Sequence, residues 1–376
     1  MDGMVNGLSV VFRVDASLAI GNGHVMRCLS LADGLKDGGA RCHFICRGHT
    51  GNLEEIIKGR GYDVFLMSLN ENDVNIDSSG RLPYLHWLGT TQALDAEECL
   101  VFLERLKPDW LIVDHYALDI VWEKKTKSHC RRLMVIDDLA DRMHISDILL
   151  DQTFGRSMAS YFPLVPHGCV LLCGSEYALL GPDFNRLRSY SLNRRLNYKL
   201  ENLLISLGGV DKDNLTRKVL EALKTTALPE SCRITIVMGM TAPWLLDIQD
   251  LALTLPWVAD VKVNVSNMAQ LMSESDFAIG AAGATSWERC CLGLPTAMVV
   301  LAENQNFAAN LLEGANAVVR LPLDGSFDLE LAAVIDKVIN NPDFLKTMSE
   351  CAKALVTGNG CGRVVENLVN LSAADG

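Results

Sequence analysis

The chain has 376 residues, which suggests two domains, because a single domain usually spans about 100–200 residues. Hydrophobic residues make up 49%, charged residues 21% and aromatic residues 6%, a composition typical of a folded α/β enzyme and unlike that of a disordered or fibrous chain. The net charge of -12 would repel the phosphates of nucleic acids and of anionic membranes, so we expect neither as a partner.

The twelve cysteines and the absence of a leader pattern bear on the compartment. No Cys-x-x-Cys pair occurs, and several cysteines lie in apolar stretches where they would pack as small hydrophobic side chains. No run reaches the ~18 apolar residues of a membrane span, and the first residues lack a basic flank followed by an apolar segment. We therefore expect a cytoplasmic protein, and we expect it to be a monomer.

In the first half of the chain, short apolar runs alternate with segments of helical period, which predicts βα units and a parallel sheet. A helix is predicted to begin directly after residues 21–24 and to end at Gly38 and Gly39. The irregular segment 68–91 is interpreted as a surface insertion. Strands are predicted to begin at Ser9, Arg41, Tyr62, Asp109, Arg131 and Cys169.

The stretch 181–199 is polar and basic with few apolar anchors, so we place a linker there between domains 1–180 and 200–358. Residues 359–376 form a terminal helix or tail, and the helical pattern at 328–372 includes a helix that we expect to return to the first domain. The fold class is α/β, with two Rossmann-like domains whose parallel sheets face a cleft. In the second domain, strands are predicted near Leu203, Ile234, Val261, Phe277 and Pro295, and helices near Asp213, Ser266, Thr285 and Asn304.

The first group of candidate site residues follows the first strand and consists of Gly21, Gly23, His24 and Arg27. Glycines allow the backbone to approach a ligand, and a helix N-terminus offers unpaired N–H groups to an anion. The third glycine of a dinucleotide fingerprint is absent. Because the helix dipole disfavours a cationic ring, His24 is interpreted either as a catalytic base or as a helix-capping residue.

A second group, Asp114, His115 and Tyr116, ends the predicted strand DWLIVD, where ligand sites gather in open α/β sheets. The alternative is that Asp114 caps the next turn and that Tyr116 packs with a satisfied hydroxyl. Asp137 and Asp138 end the next strand, and we interpret them as capping residues in preference to a metal or acid/base pair.

In the second half, Gly208 and Gly209 join a strand to a helix and are candidates for a backbone cradle around a diphosphate. Asp211 and Asp213 form an Asp-x-Asp pattern, but both can serve as helix caps, and we expect no metal.

The most specific stretch is DFAIGAAGATSWERCCLGLPTAMVVLAENQ, residues 276–305, with a Gly-rich turn that opens a helix. Gly280 and Gly283 are expected to allow close backbone approach to a ligand. Glu288 lies one helical turn later, where a carboxylate can accept two hydrogen bonds from ribose hydroxyls.

Across VDASLAIGNGHVMRCLSLA, LIVDHYALD, VIDDLADRMH, LGGVDKDN, GAAGATSWERCCLGLP and AENQ, the sequence resembles the UDP-sugar hydrolases of pseudaminic acid biosynthesis. These enzymes are similar to the N-acetylglucosaminyltransferase MurG and share its GT-B fold. The resemblance implies hydrolysis of UDP-2,4-diacetamido-2,4,6-trideoxy-β-L-altropyranose to UDP and the free sugar, with inversion and without a cofactor.

The resemblance also implies roles for individual residues. His24 activates or positions water, Tyr116 and Asn304 lie beside the sugar, and both complete the implied catalytic set. The remaining substrate contacts that it implies are Asp15, Gly21, Gly23, Arg27, Gly208, Gly209, Gly283, Ala284, Thr285, Glu288 and Gln305.

The sequence departs from the family pattern at Val210, where a serine is expected, at Gly181, where an arginine is expected, and at residues 151–153. One alternative is a MurG-like glycosyltransferase, because an acceptor hydroxyl can replace water on the same fold. A lipid acceptor would call for a basic, apolar patch that we do not find. A second alternative is a binding protein that has kept the UDP site and lost catalysis.

Overall fold

The computed structural model describes residues 7–69 and 82–373, and the chain divides into two compact units. The chain leaves unit 1 after Gly181 and returns to it after Gly358, so that unit 2 is Pro182–Gly358. Each unit is built around its own parallel sheet. Within the interpreted insertion 68–91, residues 70–81 lie outside the described part of the chain.

Unit 1 contains a seven-stranded parallel sheet in the order β3-β2-β1-β4-β5-β6-β7. The strands are β1 Ser9–Val14, β2 Arg41–Arg47, β3 Asp63–Met67, β4 Trp110–Asp114, β5 Arg132–Ile136, β6 Ile148–Asp151 and β7 Val170–Cys173. The six predicted strands are confirmed within one residue of their starts. β6 was not predicted, because no helix separates it from β5 and the alternation of strand and helix is interrupted there.

Helices cover both faces of this sheet. They are α1 Gly23–Asp37, α2 Glu54–Gly59, α3 Gln92–Leu106 and α4 Ile120–Thr126. Alternate residues of β1 point to opposite faces, so Phe12 packs in the core with Leu29 of α1 while Val11 packs with Leu103 of α3. Burial on both faces explains why the strands are continuous apolar runs and leaves the carboxyl edge of the sheet for polar side chains.

Unit 2 contains a six-stranded parallel sheet in the order β10-β9-β8-β11-β12-β13. The strands are β8 Asn202–Ser206, β9 Arg233–Met238, β10 Val258–Val263, β11 Phe277–Ala281, β12 Thr296–Val299 and β13 Val318–Leu321. The five predicted strands are confirmed. β13 was not predicted, because it is only four residues long and includes the charged Arg320.

The helices of unit 2 are α5 Pro182–Arg194, α6 Leu215–Leu223, α7 Leu245–Ala252, α8 Met268–Glu274, α9 Thr285–Cys291, α10 Asn306–Gly314, α11 Phe327–Asn340 and α12 Pro342–Leu355. None of the helices among residues 7–69 and 82–373 has both the length and the apolar character needed to cross a membrane.

The segment 181–199, expected to be a linker, instead forms α5 and a short 3₁₀ turn within unit 2. Two of its basic residues, Arg188 and Arg195, are not solvated linker charges. Arg195 donates to the carbonyls of Met272 and Leu292, and Arg188 donates to that of Lys353. These carbonyls lie at the C-terminal ends of helices, where a cation is favourable and where the carbonyls lack intrahelical partners.

The last helix, α13 Gly360–Ala373, belongs to unit 1, which confirms the prediction that a terminal helix returns to the first domain. Val364 and Leu368 join the core that α1 covers. The indole nitrogen of Trp110 on β4 donates to the hydroxyl of Ser372 at 2.8 Å. Both ends of α13 are therefore fixed to unit 1.

In each sheet the first and the fourth strand of the unit are neighbours, β1 beside β4 and β8 beside β11. The chain connections leave these two strands in opposite directions. At such a switch point the carboxyl ends of the strands border a crevice, where open α/β sheets bind their ligands.

Leu368→Ala should lower the free energy of unfolding by about 2–5 kcal/mol, because Leu368 is fully buried and its loss leaves a cavity beneath α13. Urea denaturation measures the change. Glu366→Ala, on the exposed side of the same helix, should change the free energy of unfolding by less than about 0.5 kcal/mol. Equal effects of the two variants would contradict the docking of α13.

Candidate functional site

The loop between β1 and α1 carries the Gly-x-Gly-His motif of unit 1. Gly21 has a φ of +80°, in the left-handed region that glycine adopts most easily, and its N–H donates to the carbonyl of Ser17 at 2.8 Å. The hydroxyl of Ser17 accepts hydrogen bonds from the backbone of Ala19 and Ile20. This tight turn delivers Gly23 and His24 to the first turn of α1, at the switch point of the sheet.

His24 meets the carboxyl end of β4. Its Nδ1 atom lies 2.6 Å from Oδ1 of Asp114, whereas the nearest nitrogen of Arg27, which can only donate, is 3.3 Å away. Because the carboxylate is the nearer partner and only accepts, Nδ1 carries the proton and Nε2 is the accepting nitrogen. The His24 ring hydrogen-bonds to the side chain of Asp114, and the His24 side chain is 12% exposed. The ring therefore bonds a side chain of β4, which the helix-capping interpretation did not expect.

Asp114 does not cap the next turn, contrary to one of the sequence interpretations. Its carboxylate is buried and receives Nε of Arg27 at 2.6 Å on Oδ2, in addition to the ring of His24 on Oδ1. Burial raises the pKa of Asp114, but the Arg27 guanidinium and the His24 ring outweigh burial and hold the pKa well below its usual range. Asp114 is therefore a permanent carboxylate beside His24.

Arg27 was expected to contact the substrate, but the structure places it inside the protein. Its Nη1 donates to Asp138 at 2.7 Å, and its Nε and Nη2 donate to the two oxygens of Asp114. The residue is only 5% exposed. Arg27 thus joins the ends of β4 and β5 to α1, and its part in the site is to hold the carboxylate that orients His24.

Tyr116 packs with a satisfied hydroxyl, as one of the sequence interpretations proposed. The hydroxyl donates to Oδ2 of Asp138 at 2.8 Å, and the ring lies edge-on to His24 with 4.7 Å between centroids. The side chain is 5% exposed, and Trp87 stacks on it at 5.6 Å. The structure brings Tyr116 next to His24 but covers its ring, so the described contacts give Tyr116 a supporting position.

Asp15 was also expected to contact the substrate, and the structure places its carboxylate inside unit 1. Arg13 donates to both carboxylate oxygens, at 2.6 and 2.9 Å, and the backbone N–H of Arg47 donates to Oδ1 at 2.7 Å. Nε2 of His115 lies 3.2 Å from Oδ2. Asp15 is 1% exposed, so its oxygens are already used within unit 1. It stabilises the carboxyl end of β1.

In unit 2, Gly208 and Gly209 follow β8 at the switch point. Gly208 has a φ of +96°, and a side chain on it would meet open space. The carbonyl of Gly209 accepts from the N–H of Gly239 at 2.9 Å, which fixes the turn against the end of β9. The backbone at Gly208 is therefore accessible, as a diphosphate cradle requires.

Asp211 caps α6, which confirms that interpretation for the first aspartate of the Asp-x-Asp pattern. Its two oxygens accept from the N–H groups of Leu215 and Thr216, both at 2.9 Å. Among residues 7–69 and 82–373, no group of three His, Cys, Asp or Glu side chains is arranged to hold a metal ion.

Arg289 hydrogen-bonds to the Gly-rich turn after β11. The sequence analysis did not identify this residue. Its guanidinium donates to the carbonyl of Ala281 at 2.7 Å and to the hydroxyls of Thr285 and Ser286 at 3.1 and 3.2 Å. A side chain on Gly280 would come within 2.5 Å of this guanidinium. Gly280 therefore makes room for Arg289 and not, as expected, for a ligand.

The turn itself is open at Gly283 and Ala284, which precede α9. The N–H of Gly283 donates to the hydroxyl of Ser286 at 3.2 Å, and a side chain on Gly283 would meet only Nε2 of Gln305, at 3.9 Å. Gln305 and Asn304 lie in a 3₁₀ turn after β12, where Oε1 of Gln305 accepts from the backbone of Leu301. These predicted residues of unit 2 therefore lie at one edge of its sheet.

Glu288 lies in the first turn of α9 and is partly buried. Within the described residues its carboxylate accepts no hydrogen bond. Desolvation raises the pKa of Glu288 to about 7, although the neighbouring Arg289 lowers it. A partly buried carboxylate without a donor is suited to accept hydrogen bonds from a ligand's hydroxyl groups.

Residues 203–359 match the model of the glycosyltransferase family 28 C-terminal domain. The chain is 26% identical over 304 residues to an uncharacterized protein of Methanocaldococcus jannaschii, an alignment that covers 79% of this chain and 56% of that protein. It is also 26% identical over 305 residues to the UDP-2,4-diacetamido-2,4,6-trideoxy-β-L-altropyranose hydrolase of Campylobacter jejuni, covering 81% of this chain and 96% of that enzyme. The match thus spans little more than half of the first relative and nearly all of the second.

The structure is similar to the crystal structure of MurG from Acinetobacter baumannii, with a TM-score of 0.68 and 16% sequence identity. The match covers 96% of this chain and 99% of MurG. At this level of identity the likeness concerns the fold. Together with the two parallel-sheet α/β units, it confirms the predicted GT-B fold class.

Glu288→Gln should flatten the pH dependence of stability. The folded-state pKa of about 7 lies above the ordinary 4.5, so ionisation of Glu288 lowers the free energy of unfolding as the pH rises from 4.5 to 7. The variant should therefore be more stable than wild type above pH 7 and equal to it below pH 4.5. Urea denaturation across this range measures the effect.

The matched control is Glu330→Gln, a change at an exposed glutamate of unit 2, which should leave the pH profile of wild type unchanged. If Glu288→Gln keeps the wild-type slope, the carboxylate is solvated and is not available as an unpartnered acceptor.

Proposed function

We propose that the chain is a UDP-sugar hydrolase that cleaves a UDP-linked diacetamido-trideoxyhexose, of the β-L-altropyranose type, at its anomeric carbon. The observation that carries the proposal is the His24–Asp114 pair, 2.6 Å apart, at the switch point of unit 1. The sequence similarity to a hydrolase of this substrate over 96% of that enzyme's length supports it.

Asp114 holds the His24 ring with its proton on Nδ1, so Nε2 takes a proton from water as the water oxygen attacks the anomeric carbon. The bond between that carbon and the diphosphate oxygen breaks, and UDP leaves with the bonding electron pair. Attack opposite to the leaving group inverts the anomeric centre. Protonated His24 is stabilised by the Asp114 carboxylate until it returns its proton to solvent.

We assign the nucleotide to unit 2. The backbone at Gly208 and Gly209 and the open turn at Ala284 and Thr285 offer N–H groups to the diphosphate. Glu288 accepts hydrogen bonds from the ribose hydroxyls, which offset the desolvation that raises its pKa. Asn304 and the amide nitrogen of Gln305 are assigned to the sugar. Backbone donors of this kind bind a diphosphate despite the net charge of -12.

A glycosyltransferase is the alternative, favoured by the match of residues 203–359 to glycosyltransferase family 28. That match covers the part of the chain to which we assign the nucleotide. The two reactions share the nucleotide and differ in the nucleophile, so they are separated by the need for an acceptor.

Purified protein should release UDP from UDP-2,4-diacetamido-2,4,6-trideoxy-β-L-altropyranose with no acceptor present. In ¹⁸O-labelled water the label should enter the sugar, because water attacks carbon, and NMR should show the inverted anomer first. Release of UDP only after an acceptor alcohol is added would establish the transferase. Label in UDP would show attack on phosphorus and exclude the mechanism.

His24→Ala should lower the turnover number by ~10²–10⁴, the usual contribution of a general base, and should leave UDP affinity unchanged. Asp114→Asn should lower turnover in the same direction, because the amide no longer fixes the proton on Nδ1. His167→Ala, at an exposed histidine of unit 1, is the matched control and should keep wild-type turnover. Wild-type turnover in His24→Ala would assign the base to another residue.

A further inference from the structure

Residues 82–91, here called the aromatic segment, contribute a layer of aromatic rings beside His24. Trp87 stacks on Tyr116 with 5.6 Å between centroids and an interplanar angle of 23°. Tyr84 contacts both rings, at 4.7 Å from Trp87 and 5.3 Å from Tyr116. The Trp87 indole lies 6.4 Å from the His24 ring at 74°. No function was predicted for this segment.

The aromatic segment is anchored to unit 1. Leu88 is fully buried in the core that α3 and α4 cover, and Thr91 accepts a hydrogen bond from Leu94 as the cap of α3. Gly89 has a φ of +68°, and a side chain there would approach Leu69 within 2.6 Å. The position of the rings is therefore set by packing on both sides of the short 3₁₀ turn Leu85–Leu88.

Trp87 and Tyr84 are not core residues. Both are partly exposed, whereas Leu88 beside them is buried. Tyr116, at 5% exposure, is covered, so of the two rings that contact His24, Tyr116 and Trp87, the partly exposed one is Trp87. A large aromatic side chain held at a polar site and left accessible to solvent marks a binding surface.

We propose that Trp87, backed by Tyr84 and Tyr116, is the platform on which the apolar face of the sugar rests, so that Trp87 determines sugar specificity. This inference rests on the proposed function and names the subsite next to the water-activating histidine. A deoxy methyl group, acetamido methyl groups and ring C–H groups present an apolar face that matches an indole. A hexose with a hydroxymethyl group and more free hydroxyls matches it less well.

The test compares Trp87→Ala, Trp87→Leu and Trp87→Phe with His86→Ala, a control at the exposed neighbour. Trp87→Ala and Trp87→Leu should lower kcat/KM for the diacetamido-trideoxy substrate about 10- to 100-fold, while Trp87→Phe keeps most of it. The affinity for UDP, measured by calorimetry, should stay within about twofold of wild type, because UDP lacks the sugar. The preference over UDP-N-acetylglucosamine should fall in the same variants.

Wild-type kcat/KM in both Trp87→Ala and Trp87→Leu would overturn the proposal. An equal loss of UDP affinity would also overturn it, because the ring would then bind the nucleotide base. If Trp87→Ala fails to fold, the comparison of Trp87→Leu with Trp87→Phe carries the test, since both retain a large apolar side chain and only one keeps the ring.

Calorimetry can measure the binding of UDP and of the UDP-sugar without turnover. It compares His24→Ala with two double variants, in which His24→Ala is combined with Trp87→Phe or with Trp87→Leu. If wild type releases no UDP from any UDP-sugar but Trp87→Leu still weakens UDP-sugar binding relative to UDP, the proposed hydrolysis fails and the platform stands. If wild type hydrolyses the substrate and Trp87→Leu binds it normally, the hydrolysis stands and the platform fails.

Discussion

The buried carboxylate of Asp114 is the constraint on which the site of unit 1 depends. A charge at the carboxyl end of a central strand cannot be left without partners, and Asp114 finds them in two residues of α1, His24 and Arg27. One partner is a permanent cation that keeps the carboxylate ionised, and the other is a ring that can gain or lose a proton. The same contact thus positions α1 against β4 and fixes the tautomer of His24.

Two buried carboxylates at the ends of neighbouring strands of unit 1 have different hydrogen-bond partners. Asp15 at the end of β1 is closed off by Arg13 and the backbone of Arg47, whereas Asp114 at the end of β4 shares one oxygen with a partly exposed ring. Both have pKa values held low by arginine despite burial. Residue type and position on a sheet therefore do not separate a structural carboxylate from a functional one. The identity of the second partner does.

This difference explains how much of the fold and of the site was predictable from the sequence. Apolar runs of strand length and helical spacing located eleven strands, because burial on both faces of a parallel sheet imposes those patterns locally. The residues around the two switch points were predictable from the sequence, because they lie at the ends of strands and in turns that contain glycine. The burial of Asp15 and Arg27 was not predictable, because most of their partners come from distant parts of the chain.

Two further features depended on contacts that the sequence does not display. The arginines of α5 and of the 3₁₀ turn after it were taken for linker charges, since nothing local shows that Arg188 and Arg195 meet the carbonyl ends of helices. Arg289 was not identified, although an arginine directly before Cys290, Cys291 and Leu292, three apolar residues in a row, was a usable signal. Trp87 lacked such a signal, because the segment 68–91 has no regular period.

The return of α13 to unit 1 has a consequence for the order in which the protein is made. Unit 2 is continuous in the chain, from Pro182 to Gly358, while unit 1 is completed only by residues that follow it. As the chain leaves the ribosome, unit 2 has all its strands and helices before unit 1 has its last helix. Until then the α1 surface that receives Val365 and Leu368 stays apolar and uncovered. The unit that begins first is therefore the one that finishes folding last.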